Sequence, residues 1–209
     1  MEFSGELFPT SWLWFFTGAY GWSLSRALRW ADWRRLSNSG QLNLFLGSAV
    51  CLLLLWTLRT EIQPGLAWHL SAILTVTLMF GWSLAVIAGS LALLGTTLVG
   101  LSDWSGFAPT ALVFIVLPSA LAQLILGLAR AYLPKHYFVY VFINAFLAAG
   151  LVAVLLALSA AGLLLLVGAY TLPQLSDSLL LFLPLMFLSL IHISEPTRQL
   201  ASSRMPSSA

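Results

Sequence analysis

The chain has 209 residues, of which 60% are hydrophobic and only 8% charged, with a formal net charge of +2 and a mean hydropathy of +0.95. Soluble domains carry roughly 25% charged residues, so this chain is too poor in charge to cover a water-facing surface, and its small excess of positive charge gives no reason to expect nucleic acid as a partner. The single cysteine, Cys51, lies inside the apolar run CLLLLW, which excludes an intrachain disulfide framework and a multi-cysteine metal cluster.

The expected fold is all-α, a polytopic transmembrane bundle of about seven helices, because open strands leave backbone groups unsatisfied in lipid. One crossing of a hydrocarbon core of roughly 30 Å takes about 20 apolar residues. The first predicted helix runs from Thr10 to Ala27 and is rich in Trp and Phe; the second covers Leu42 to Leu58. A third is expected over Leu66 to Phe80, a break at Gly81-Trp82, a fourth helix from Ser83 to Val99 and a fifth from Thr110 to Ala129. The sixth apolar stretch, from about Tyr137 to Val167, is long for one crossing, and is either strongly tilted or broken near Ser159–Gly162. A seventh begins near Ser178. The spacings Gly47-x-x-x-Cys51, Ala85-x-x-x-Gly89 and Ala145-x-x-x-Ala149 suit close helix approach.

Basic residues in short loops orient such a bundle. Arg26, Arg29, Arg34 and Arg35 follow the first helix, and Arg130 and Lys135 follow the fifth; the opposite loops hold Arg59 alone, with Glu61, Asp103 and Asp177. The basic loops are expected in the cytoplasm, with the N-terminus outside together with the loops 59–65, 100–109 and 170–177. Four arginines follow the first apolar segment and none precedes it, so it is expected to be a membrane helix and not a cleaved signal peptide.

The last residues read differently. LSLIHISEPTR, Leu188 to Arg198, matches the translation of the constant arm of a transposon-type sequencing adapter, and SRMPSSA, Ser203 to Ala209, matches its constant far end in the same frame. Residues 1–187 are therefore expected to form the transmembrane domain, its last helix truncated near Phe187. Residues 188–209 are expected to be a non-native tail.

Few side chains are left for chemistry. Without the tail there are two histidines, His69 in QPGLAWHLSA and His136 in the basic sequence LPKHYF. Imidazole suits nickel, copper, cobalt and zinc, and the outer-face groups that can join His69 are the Met1 amine, Glu2, Glu6, Glu61 and Asp103. Gln123 and Asn144 fall within predicted helices, where such groups usually hydrogen-bond between helices. No Walker phosphate loop, HExxH, CxxC or nucleophile elbow occurs, so no enzymatic activity is expected.

The segment HLSAILTVTLMFGWSLAVIAGSLALL, then GLSDWSGFAPTAL and VLPSALAQLI, resembles the integral-membrane permeases of energy-coupling-factor transporters for cobalt and nickel, the CbiM/NikM group. ELFP, RRLSNSGQLNLFLG, LRTEIQPGL and HYFVYVFINAFLAAG extend the likeness to a branch of that group over essentially residues 5 to 187. The resemblance implies seven helices with an outward N-terminus and a substrate-binding role in uptake of a cobalt or nickel ion. It implies that no cofactor is required, and that the partners are a membrane scaffold subunit and cytoplasmic ATPase subunits in a bacterial-type inner membrane. In metal-binding members a Met-His start supplies the terminal amine and a histidine, and a later histidine on the third helix completes the site. His69 occupies that later position; the start here is Met1-Glu2. The candidate ligands are His69, at the position of that later histidine, with Met1 through its amine and Glu2 as the outer-face groups at the chain start. The alternative is a non-transporting assembly or interaction protein that kept the fold and lost the metal site.

Overall fold

A computed structural model describes residues 2–63, 66–69, 72–132, 148–171 and 173, and for 59–63 and 66–69 the backbone alone. Met1, Lys135, His136, Asn144, Ala145, the start of the sixth apolar stretch, the predicted seventh helix and the tail 188–209 lie outside these residues. The elements are β1 (Glu2–Phe3), a 3-10 turn (Gly5–Leu7), α1 (Thr10–Trp30), α2 (Trp33–Leu36), α3 (Ser39–Thr57), β2 (Arg59–Gln63) and β3 (Leu66–His69). There follow α4 (Ile73–Phe80), α5 (Trp82–Leu98), α6 (Phe107–Ala111), a π-turn (Leu112–Val116), α7 (Leu117–Tyr132) and α8 (Ala148–Val167).

The protein is an all-α membrane bundle with a small sheet added at one end. Among the described residues, three helical segments are long and apolar enough to cross a bilayer: Ser39–Thr57, Phe107–Tyr132 and Ala148–Val167; Trp82–Leu98 is a shorter apolar helix. α1, at 21 residues, reaches about 31 Å at 1.5 Å per residue. It is less apolar because it ends in the arginine-bearing turns. α8 runs unbroken through Ser159–Gly162, so the break entertained there does not occur. The rod from Phe107 to Tyr132 is widened in its middle, where the Leu117 N–H reaches back to the Leu112 carbonyl. Pro118 supplies the cause: it has no N–H to donate and its ring crowds the carbonyl one turn back, a strain that a wider turn relieves.

α5 is the central helix. Ala85, Val86, Ala88 and Leu93 have no exposed surface, and α1, α3, α4 and α7 all pack around it. A Cβ at Gly89 would stand 2.7 Å from Ile115 and 2.8 Å from Ile73, so Ala85-x-x-x-Gly89 is a true close approach. Gly47 meets nothing within 4 Å and Cys51 is exposed; that spacing makes no contact. Several polar side chains inside the bundle bond to their own helix, as Thr77 does to the Ile73 carbonyl (2.8 Å) and Thr97 to that of Leu93 (2.7 Å). Between helices, the Tyr20 hydroxyl donates to Ser90 Oγ at 2.8 Å.

The connections sort to the two ends as the charge pattern requires. At one end Asn38 caps α3 by accepting from the Gly40 N–H at 2.9 Å. Arg35 there donates to the Met79 carbonyl at 3.0 Å and lies 5.5 Å from the Phe80 ring centre. The α1–α3 connection and the Gly81 turn, with φ +84°, therefore share the arginine-rich end. The N-terminus, the sheet and the 99–106 loop share the other.

The predicted third helix, Leu66 to Phe80, is the main departure. Of its described residues, Ile73–Phe80 are helical and Leu66–His69 form a strand. Its backbone groups find partners in two neighbouring strands, so the cost that disfavours strands in lipid does not arise.

Candidate functional site

The N-terminal segment folds back into the bundle. β1 pairs antiparallel with β3, Glu2 opposite Ala67 and Phe3 opposite Leu66. On the other side β2 pairs with β3, with Arg59 opposite His69 and Glu61 opposite Ala67, and the register shifts between Glu61 and Gln63. The order β1-β3-β2 makes β3 the central strand.

Phe3 anchors this arrangement. It is 2% exposed, and its ring centre lies 4.9 Å from that of Phe114 and 5.5 Å from that of Phe8. Its N–H donates to Thr110 Oγ1 at 2.9 Å. Two glycines make room: a Cβ at Gly106 would overlap the Phe3 carbonyl, and one at Gly5 would overlap the Ser105 side chain. Neither has a positive φ, so what both positions require is space.

Asp103 ties the same segment from outside. Its Oδ2 accepts from Ser105 Oγ at 2.6 Å, from the Gly5 N–H at 3.3 Å and from Ser4 Oγ at 3.4 Å. The Ser105 hydroxyl is the chief cause that holds this carboxyl below its ordinary pKa; partial burial opposes it, and the Gly5 and Ser4 bonds add to it.

Of the sequence-predicted ligands, Glu2 is 5% exposed within β1, and His69 is the last residue of β3, two positions beyond Ala67, the residue opposite Glu2. Antiparallel pairing directs the N-terminal end of β1 along β3 toward His69. Directly opposed residues and residues two apart belong to the same side of a pleated ladder; positions 2, 59, 61, 67 and 69 share it. Met1 lies outside the described residues. Glu6 is exposed in the 3-10 turn, and Gln123 is exposed on α7. Among residues with described side chains, a set that excludes 59–63 and 66–69, no group of three or more His, Cys, Asp and Glu could hold a metal ion.

Sequence reasoning gathered the outer-face groups on one side of the membrane, and the fold brings Glu2, Glu61 and His69 into one small sheet. It missed the sheet itself and the anchoring by Thr110, Gly5 and Gly106. A signal for the hairpin was present: Pro64-Gly65, a turn dipeptide, separates RTEIQ from LAWH.

A multi-pass helical membrane protein whose N-terminus is threaded back beside a histidine-bearing strand is the class these observations define. A family model described as the cobalt uptake substrate-specific transmembrane region, CbiM, matches residues 3–196, and the chain belongs to that family. The matched stretch runs past Phe187 into the first residues of the segment read as adapter. The family is one of transport components, and its membrane character agrees with the three spanning helices. No curated protein and no solved structure matches the chain.

Proposed function

We propose that the protein is the substrate-binding membrane component of an energy-coupling-factor-type transporter for cobalt or nickel. In this reading it takes the ion at the outward end, in the inner membrane of a bacterial-type cell. The observation that carries the reading is the pairing of β1 with β3, which brings the start of the chain alongside the strand ending in His69. The proposed ligands are the His69 imidazole, the Met1 amine and the Glu2 carboxylate. Nitrogen donors suit nickel and cobalt, and a carboxylate offsets the charge of the ion. Glu2 stands where metal-binding relatives are expected to carry histidine, so affinity should depend more on His69 than on position 2. Transport would follow from rearrangement of helices, with energy from cytoplasmic ATPase subunits coupled through a membrane scaffold subunit.

Calorimetric titration of nickel and cobalt into the purified full chain tests this. Wild type should bind one ion, His69→Ala should lose affinity by tenfold or more on the order of one lost ligand, and Glu2→Gln should lose less. Failure of wild type to bind, or binding unchanged by His69→Ala, would refute the ligand assignment. It would favour a membrane interaction protein that kept the fold, a reading that the Glu2 substitution itself supports.

A further inference from the structure

The arginine-rich end of the bundle holds a second feature, independent of the metal reading. A groove of about 780 Å³ opens between the last turns of α1, the start of α5 and the outer face of α7. Its aromatic wall is Trp22, Trp30 and Trp82, its apolar wall includes Leu124 and Leu128, and Arg26 is the one charged residue among the described residues lining it.

The polar groups in the groove are matched to an anion. The Arg26 guanidinium carbon lies 5.2 Å from the Trp22 ring centre and 4.8 Å from that of Trp30. Stacking of this kind uses the face of the guanidinium and leaves its N–H edge free to meet oxygen acceptors. The Trp82 Nε1–H is buried with no acceptor among the described residues, an arrangement that costs free energy unless a ligand supplies one. α5 begins at Trp82 with no side-chain cap, so the partial positive charge of its first turn adds to that of Arg26. Among the described residues, no carboxylate lines the groove to answer these charges.

The apolar wall gives the ligand its second half. Leu124 is 59% exposed and Leu128 49%, and they follow α7 from the arginine-rich end toward mid-membrane. A free anion would leave that wall uncovered, whereas a lipid covers it. The groove also lies at the end of the bundle that carries Arg26, Arg29, Arg34 and Arg35, where the positive-inside pattern sets the cytoplasmic leaflet with its anionic lipids.

We propose that this groove binds an anionic phospholipid, the headgroup phosphate against Arg26 and Trp82 and an acyl chain along Leu124 and Leu128.

Native mass spectrometry of the full chain, delipidated in detergent and given equal amounts of phosphatidylglycerol and phosphatidylcholine, tests the proposal. Wild type should retain phosphatidylglycerol in preference. Arg26→Gln should cut that preference about fivefold, the effect of one basic residue at a membrane surface. Trp82→Phe, which keeps a ring and removes the N–H, should lower it in the same direction and guards against misfolding of the first variant. Arg29→Gln, outside the groove, should leave it unchanged.

Equal retention of the two lipids by wild type would overturn the proposal, as would a preference that survives both groove variants. The latter is the outcome expected if residues 178–187 of this chain or another protein cover the groove. Displacement of phosphatidylglycerol by an equal concentration of inorganic phosphate would make it a free-anion site and equally contradict the assignment.

Discussion

At Gly106 a single methyl group would run into the Phe3 carbonyl, and the obstacle is backbone, which cannot rotate away as a flexible side-chain end can. Gly106→Ala should therefore push β1 off β3. The expected loss is about 1–3 kcal/mol, the range for forcing an extra carbon into a packed site. It should be read as a lower melting temperature in detergent together with faster proteolysis ahead of Thr10. An unchanged melting temperature and an intact N-terminus would show that β1 is not held as described. Asp103 acts on the same segment through charge. Because its folded-state pKa is depressed, its stabilising effect is complete above the unfolded value of about 3.9 and disappears as pH falls through the folded value. Proteolysis of the N-terminal segment should thus accelerate in wild type as pH drops below about 4. Asp103→Asn should show faster cleavage at neutral pH and little further change with acid.

Among the elements, α5 shows how the bundle reaches its density. Gly89 lets Ile73 of α4 and Ile115 of the π-turn meet across one position, and a larger side chain has to separate all three. Gly89→Leu should cost about 1–3 kcal/mol, measured by thermal unfolding in detergent, whereas Gly47→Leu, facing open space, should change little. The helices legible in the sequence were those written as long apolar runs: α1, α3, α5 and the rod from Phe107 to Tyr132 were predicted to within a few residues at most ends. The runs do not record what pairs with them. LAWHLSAIL is mostly apolar, broken only by His69 and Ser71, and an apolar run of this length reads as buried helix or buried strand alike. Its first part became β3 because the chain's own N-terminal segment pairs with it, a tertiary fact that no local pattern carries. The π-turn was missed for a related reason. Pro118 advertises a disturbed helix, but the form of the disturbance depends on the packing of Ile115 against α5.

For the whole molecule, the arginines marked one end as the expected inner one, and the fold gathers the described arginine-bearing connection of α1 and α3 with the Gly81 turn at one end and the N-terminus with the sheet at the other. The candidate site was legible in part. His69 stood out as one of two histidines before the tail, and Glu2 was named from its place in the chain. Their meeting in one sheet was not visible, because it depends on register between segments far apart in sequence. The account's central claim is that a transition-metal ion is held where β1 meets β3. X-ray absorption spectroscopy on the nickel-loaded full chain tests it most directly. The account predicts a first shell of nitrogen and oxygen with outer-shell scattering from imidazole, lost in His69→Ala. Imidazole scattering that persists in His69→Ala, or a first shell of sulfur, would contradict it.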